Sequence, residues 1–243
     1  MNTQPDKTEV ENFLAETEFS DYQSVSLPYG LKTPGRERSK IVDFILSSHV
    51  TGKSVLDVGT YYGLFPNEAM KRGALKAIGV EYDQERFEIA NRIAQLNGNQ
   101  YSILNGRIED INLFETFDIV LFLNVLHHVT DPVGVITKLA SLCRGTMIVE
   151  FCLPTDPAYI KFLSKNSSFK AKIHSRLLRW IARDLPIMAI GSQEYHRTFY
   201  FSAGAFYNLF VIHNKLFSTI RFEKSVWNSN RMVAFCESDE NLI

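Results

Sequence analysis

From residue 53 to residue 152, short apolar runs alternate with stretches of helical periodicity. Lys53–Val58 predicts a strand, Phe65–Arg72 a helix closed by Gly73, and Leu75–Val80 the next strand. In Gln84–Leu96 the residues Phe87, Ile89, Ala90, Ile93, Ala94 and Leu96 share one helical side, and Asn97-Gly98 stops the helix. Strands are expected at Tyr101–Leu104 and Phe117–Asn124, then a helix over Asp131–Leu142 and a strand over Thr146–Cys152. Strands that are apolar on both faces and alternate with helices belong to a parallel sheet covered on two sides. After residue 200 the order changes. A helix at about 202–215 precedes two extended runs, LFSTIRFEKSVW and RMVAFCES, joined by Asn228-Ser229-Asn230, which is the pattern of an antiparallel hairpin. The fold expected is α/β: a doubly wound, mostly parallel, seven-stranded sheet with an antiparallel C-terminal hairpin strand.

Two segments stand outside this alternation. Residues 1–35 predict an N-terminal helix, with Val10, Phe13 and Leu14 on one face, and a loop whose Pro28, Gly30, Pro34 and Gly35 forbid regular structure. The main domain, 36–243, then opens on Ile41, Val42, Ile45 and Leu46 at helical spacing. The second is an insertion at about 155–200, where Lys161, Lys165, Lys170, Lys172, Arg176, Arg179, Arg183 and Arg197 oppose only Asp156, Asp184 and Glu194. Phe169, Ile173, Leu177 and Ile181 recur four apart, so this basic stretch predicts an amphipathic helix ending near Asp184-Leu185-Pro186. Three roles fit it: a lid whose cations meet phosphate or carboxylate groups, a peripheral membrane or acidic-partner contact through 168–183, and a plain packing helix.

Composition narrows the class. With 243 residues and 45% hydrophobic positions, the chain can bury a sizeable core. Lys plus Arg number 26 against 27 Asp plus Glu, which excludes nucleic-acid binding by bulk charge though not by a local patch. No run of about 18 apolar residues is present to span a bilayer. The polar, acidic start lacks the pattern of a signal peptide, so a cytoplasmic protein is expected. Cys143, Cys152 and Cys236 are an odd set at unrelated spacings, which suits neither a disulfide framework nor zinc. No metal is expected. An aromatic-rich stretch from Phe199 to Phe217 could support a homodimer.

The chemistry concentrates at the carboxyl ends of the first four strands, where open α/β sheets bind ligands. The first strand leads into Asp57-Val58-Gly59-Thr60-Tyr61-Tyr62-Gly63. Gly59 allows a sharp turn and Gly63 a close backbone approach. The spacing fails the dinucleotide fingerprint, because Tyr61 and Leu64 stand where glycines would be required. An acid two residues before the first glycine suits a ligand bearing an ammonium group.

This turn resembles the first motif of the class I S-adenosylmethionine-dependent methyltransferases, Asp/Glu-x-Gly-x-Gly-x-Gly, with Tyr61 replacing the middle glycine. The neighbouring segments extend the resemblance over residues 36–152. Glu81, 22 residues after Gly59, ends the second strand, where a carboxylate accepts hydrogen bonds from the vicinal hydroxyls of a ribose. Asn105-Gly106-Arg107-Ile108-Glu109 matches the segment that covers an adenine, and Asn124-Val125-Leu126-His127-His128-Val129-Thr130-Asp131-Pro132 matches the family's fourth motif. The resemblance implies S-adenosylmethionine as cofactor, S-adenosylhomocysteine as product, and cofactor contacts from Asp57, Gly59, Thr60, Gly63, Glu81, Tyr82, Ile108, Glu109 and Asn124.

His128 or His127 is the candidate base, since an imidazole near neutrality can take a hydroxyl proton. Each has a plainer alternative, His127 packing against the cofactor and His128 bonding the following turn. Tyr195, His196 and Arg197 are candidates for substrate contacts, and so are Tyr29 and Arg36, which with Tyr22 lie in or beside the N-terminal segment whose loop the resemblance implies folds over the cofactor. The function expected is methyl transfer to oxygen of a small or carbohydrate-like acceptor. The run from Arg107 to Pro132 also resembles the tRNA wobble-uridine carboxymethyltransferase branch, which keeps an RNA substrate open. A non-catalytic cofactor-binding regulator or assembly subunit is a third reading, favoured by the relaxed first motif.

Overall fold

A computed structural model describes residues 5–47, 50–157, 159–161, 185–191 and 199–238. The chain divides into two compact units, Met1–Leu121 and Phe122–Ile243. A seven-stranded sheet runs β3 (Ser102–Asn105), β2 (Lys76–Glu81), β1 (Ser54–Val58), β4 (Phe117–Leu123), β5 (Cys143–Cys152), β9 (Arg231–Glu237) and β8 (Thr219–Lys224), and β6 (Met188–Ile190) and β7 (Phe199–Phe201) form a separate two-stranded sheet.

In the first unit, β1 (Ser54–Val58) is buried along its whole length and pairs in parallel with β2 (Lys76–Glu81) and β4 (Phe117–Leu123). Burial on both faces explains why these strands read as continuous apolar runs. Strand β3 (Ser102–Asn105) extends the parallel sheet beyond β2. Helix α1 (Lys7–Glu16) is capped by Asp6, and α2 (Ser39–Ile45) buries Ile41, Val42 and Ile45. Helix α3 (Leu64–Lys71) starts from Gly63, and α4 (Gln84–Leu96) starts from Asp83, whose carboxylate accepts the Arg86 N–H. The apolar side foreseen for α4 is the one it buries, except that Phe87 is only half-buried.

The loop after α1 is more ordered than its prolines and glycines suggest. It doubles back on itself, with Ser26 bridged to Lys32 and backbone bonds from Ser24 to Arg36, Thr33 to Val25 and Leu27 to Leu31. A short 3-10 turn, Pro28–Gly30, sits at its tip. Prolines and glycines here shape the reversal rather than prevent one. Asn67 and Asn97 both donate side-chain amides to the Ser26 carbonyl, seating the excursion on α3 and the end of α4.

In the second unit, α5 (Pro132–Ser141) is capped by Asp131 and leads to β5 (Cys143–Cys152). Strand β9 (Arg231–Glu237) runs antiparallel to both β5 and β8 (Thr219–Lys224), so the expected terminal hairpin is present. Two expectations need correction. The helix expected at about 202–215 divides into α6 (Ala203–Tyr207) and a wider π-helical stretch, Asn208–His213. The wider turn seats Phe210, which packs on Phe206 at 4.7 Å within a cluster that also holds Phe151 and Phe201. The insertion is also not purely helical, because β6 (Met188–Ile190) and β7 (Phe199–Phe201) pair antiparallel at its end. Buried Ser202 ties this pair to α6, accepting from the amides of Ile187 and Ala205 and donating to the Leu185 carbonyl. The amphipathic helix expected over 168–183 lies outside the described residues.

Candidate functional site

At the end of β1 the chain turns through Gly59 at φ +78°, Tyr61 at +58° and Gly63 at +80°. The Gly59 and Thr60 amides both donate to the Val80 carbonyl, which pins the turn to β2. Thr60 then lies against Gly79, where a Cβ would come within 2.7 Å of the Thr60 methyl and 2.8 Å of Ile103. A glycine in mid-strand is therefore required for the turn to seat.

Two buried carboxylates face this turn. Asp57 accepts the Thr60 hydroxyl at 2.6 Å. Burial pushes its carboxyl up from 3.8 to about 7; the Thr60 bond opposes that rise and the charge of Glu81 adds to it. Glu81 accepts the Tyr61 amide on Oε2 at 2.9 Å and the Asp83 amide on Oε1 at 3.1 Å. Burial raises Glu81 as well, against the pull of those two amides and of Arg86. The Glu81 carbonyl is held from the β3 side by the Gly106 amide and the Asn105 side chain. An ionised carboxylate offers about four lone-pair sites, so Glu81 keeps capacity for two further donors.

Most of the expected ligand contacts thus meet in the first unit. Asp57, Gly59, Thr60, Gly63 and Glu81 form one connected turn. Tyr82 follows at its lip, 57% exposed, with the Arg107 guanidinium 5.1 Å over its ring. Ile108 is buried and Glu109 half-buried in the segment after β3. In the second unit, Asn124 takes φ +62° at the end of β4, and the His128 amide bonds the Val125 carbonyl at 2.7 Å. The His127 ring is buried and the His128 ring exposed, their centroids 4.0 Å apart.

The structure does not bring Tyr29 or Arg36 to the turn. Tyr29 is exposed and donates to the Pro5 carbonyl, while Arg36 pairs with Asp21 at the surface. Tyr195, His196 and Arg197 lie outside the described residues. Among the described residues, no group of three or more His, Cys, Asp or Glu could hold a metal ion.

Of the residues that reach the turn from the N-terminal side, the sequence marked Tyr22 as a candidate contact but not Gln23 or Ser20. Gln23 is buried and donates to the Thr60 carbonyl at 3.2 Å; Ser20 bonds the hydroxyls of both Tyr61 and Tyr62. Tyr22 packs on Tyr61 with centroids 4.6 Å apart. No periodicity marks such contacts, because they join loop positions about 40 residues apart. Gly79 was equally silent, being one small residue in an apolar strand.

A family model described as a methyltransferase domain matches residues 32–210. The chain belongs to this methyltransferase-domain family. Among curated members of related type, the tRNA U34 carboxymethyltransferase of Dichelobacter nodosus is 32% identical over 146 residues, 55% of this chain and 46% of that protein. A ubiquinone biosynthesis O-methyltransferase of Vibrio vulnificus is 32% identical over 107 residues, 42% of this chain and 45% of the relative. The chain therefore matches about half the length of these curated relatives. The N-terminal domain of EvdMO1, solved with SAH bound, has a TM-score of 0.67 at 13% identity, with 97% of this chain and 98% of that chain covered. Magnesium protoporphyrin IX methyltransferase from Synechocystis PCC 6803, also with SAH, gives 0.55 at 15% identity over 83% and 81%. At these identities the likeness establishes the shared methyltransferase fold.

Proposed function

We propose that the chain is an S-adenosylmethionine-dependent methyltransferase acting at oxygen on a small or carbohydrate-like acceptor. The observation that carries this reading is the pair of buried carboxylates on one glycine turn. Asp57 suits the ammonium of the cofactor's amino-acid portion, and Glu81 has two acceptor positions left for vicinal ribose hydroxyls. Tyr82, Ile108 and Glu109 would border the adenine. When bound, the cofactor supplies a methyl group on a sulfonium, open to in-line displacement.

The chain's own task is then to orient the two reactants and to remove a proton. His128, exposed at the carboxyl end of β4, takes the acceptor's hydroxyl proton on its imidazole. His127, buried beside it, holds that ring in place. The ubiquinone biosynthesis O-methyltransferases among the relatives support an oxygen acceptor. The EvdMO1 domain solved in the presence of SAH and D-fucose supports a carbohydrate-like one. No helix among the described residues is long and apolar enough to cross a membrane.

Titration calorimetry with S-adenosylmethionine, S-adenosylhomocysteine and the carboxylated cofactor tests the reading. Micromolar binding of the first two, lost in Asp57→Ala, is expected; affinity unchanged by that substitution overturns it. The tRNA carboxymethyltransferase relative favours one second reading, an RNA substrate. Preference for the carboxylated cofactor, or RNA binding with a steep salt dependence, would put that reading first.

A further inference from the structure

Tyr61 stands in the left-handed region, which a side chain with a Cβ rarely adopts and which its surroundings must enforce. Here four neighbours do so around a half-buried ring. The Tyr22 ring lies 4.6 Å away, the Tyr62 ring 4.5 Å away, and the Arg86 guanidinium 4.8 Å over the Tyr61 face. The Tyr61 hydroxyl is hydrogen-bonded to Ser20 Oγ. Tyr22 is itself clamped: Arg38, buried, sits 4.4 Å over its ring and donates to its carbonyl through Nε and Nη2, at 3.1 and 2.6 Å. Phe19 adds an edge contact to Tyr62 at 5.9 Å and takes another from Phe13 of α1 at 5.4 Å. An aromatic chain therefore runs from α1 through residues 19–22 to the turn. At its end, the Tyr61 backbone N–H holds Glu81 Oε2.

We propose that Tyr61 is a positioning residue: the arm of residues 19–23 clasps its ring, and its amide thereby sets where the Glu81 carboxylate stands. A glycine at this position would make the same turn with no handle for the arm. The tyrosine ties the presentation of Glu81 to the segment that packs on its ring. In its consequence for ligand affinity the inference rests on the cofactor reading above; in its structural part it does not.

The test uses the full chain carrying Tyr22→Ala, with Ser20→Ala as a milder variant, each in the Tyr61 and the Tyr61→Gly backgrounds. Hydrogen exchange of the free protein is read at the amides of Ser20 and Tyr61. Tyr22→Ala should speed exchange at both by about 10-fold, the worth of a lost aromatic contact. S-adenosylhomocysteine affinity should fall by about 5- to 10-fold in Tyr22→Ala, and the same substitution should cost nothing further once residue 61 is glycine. Unchanged exchange at Tyr61 overturns the proposal, whether or not Ser20 loosens. Equal affinity losses in the two backgrounds overturn it too, since the arm would then act without Tyr61. Should the native protein bind no S-adenosylhomocysteine, the cofactor reading fails, and Tyr61 exchange alone decides the clasp.

Discussion

Asp57→Asn should make the free protein more stable while destroying its ligand site. The native carboxyl is buried, and its proton is held up to about pH 7 against 3.8 in the unfolded chain. A group whose folded value is raised contributes fully below the unfolded value and loses that contribution as pH climbs to the folded one. At 1.36 kcal/mol per pH unit, that difference makes the ionised native state about 4 kcal/mol less stable than the protonated one. Asparagine has the same shape, can still accept from the Thr60 hydroxyl, and never ionises. Urea unfolding should show native protein and variant alike near pH 3.5, apart by about 2 kcal/mol at pH 5.5, and by about 4 kcal/mol from pH 8 upward. The last gap corresponds to a rise in midpoint temperature of roughly 8–16 °C for a chain of this size. The same linkage acts on binding. A cation meeting Asp57 must find it ionised, so affinity for S-adenosylhomocysteine should rise with pH up to about 7 and then level. Calorimetry near pH 6 in two buffers should register a released proton. A stability gap that does not change with pH, or a variant less stable at pH 8, would refute the assignment of Asp57 as a buried, strained acid.

Three other outcomes follow from local geometry. Gly79→Ala places a methyl 2.7 Å from Thr60, so the turn must shift; a loss of about 1–3 kcal/mol in chemical unfolding, with weakened cofactor binding, is expected. His128→Ala should lower turnover by about 10²- to 10⁴-fold with cofactor affinity intact, whereas His127→Ala should also lower thermal stability because that ring is buried; steady-state kinetics beside calorimetry separates the two. In the second unit, buried Glu150 accepts from Arg231 at 3.3 Å and Ser225 at 2.5 Å, so Arg231→Met should leave an unpaired buried charge and cost about 3–5 kcal/mol in urea titration, while replacing both partners with apolar residues should cost much less.

The parallel part of the fold was legible because its signal is local and repeated. Each strand from β1 to β4 is a short apolar run, and α4 displays its buried face, its Asp83 cap and its Asn97-Gly98 stop within 16 consecutive residues. Where packing overrode local pattern, the reading failed. Ala203–His213 has the composition of one helix, yet the demand to seat Phe206 and Phe210 against Phe151 and Phe201 widens its second half. Strands β6 and β7 are three residues each, too short to show a period of two, and they exist through pairing with one another. The folded-back loop at residues 24–36 depends on amides donated by Asn67 and Asn97, which no window around the loop contains.

The site divides along the same line, and Tyr61 shows why. Gly59, Gly63 and Glu81 could be named because their roles are imposed by the backbone or by strand position, which a sequence displays directly. Tyr61 breaks the rule that a left-handed position takes glycine, and from sequence alone it registers only as a defect in a motif. A residue that violates its local preference must be held by something distant. The holders, Ser20, Tyr22 and Arg86, lie on either side of the turn in sequence and converge on one ring. The violation was therefore the visible half of a tertiary contact. A bulky residue at a position that demands positive φ is best treated as evidence that an unidentified segment packs there, and the aromatic and polar positions of the preceding loop are the first places to look for it.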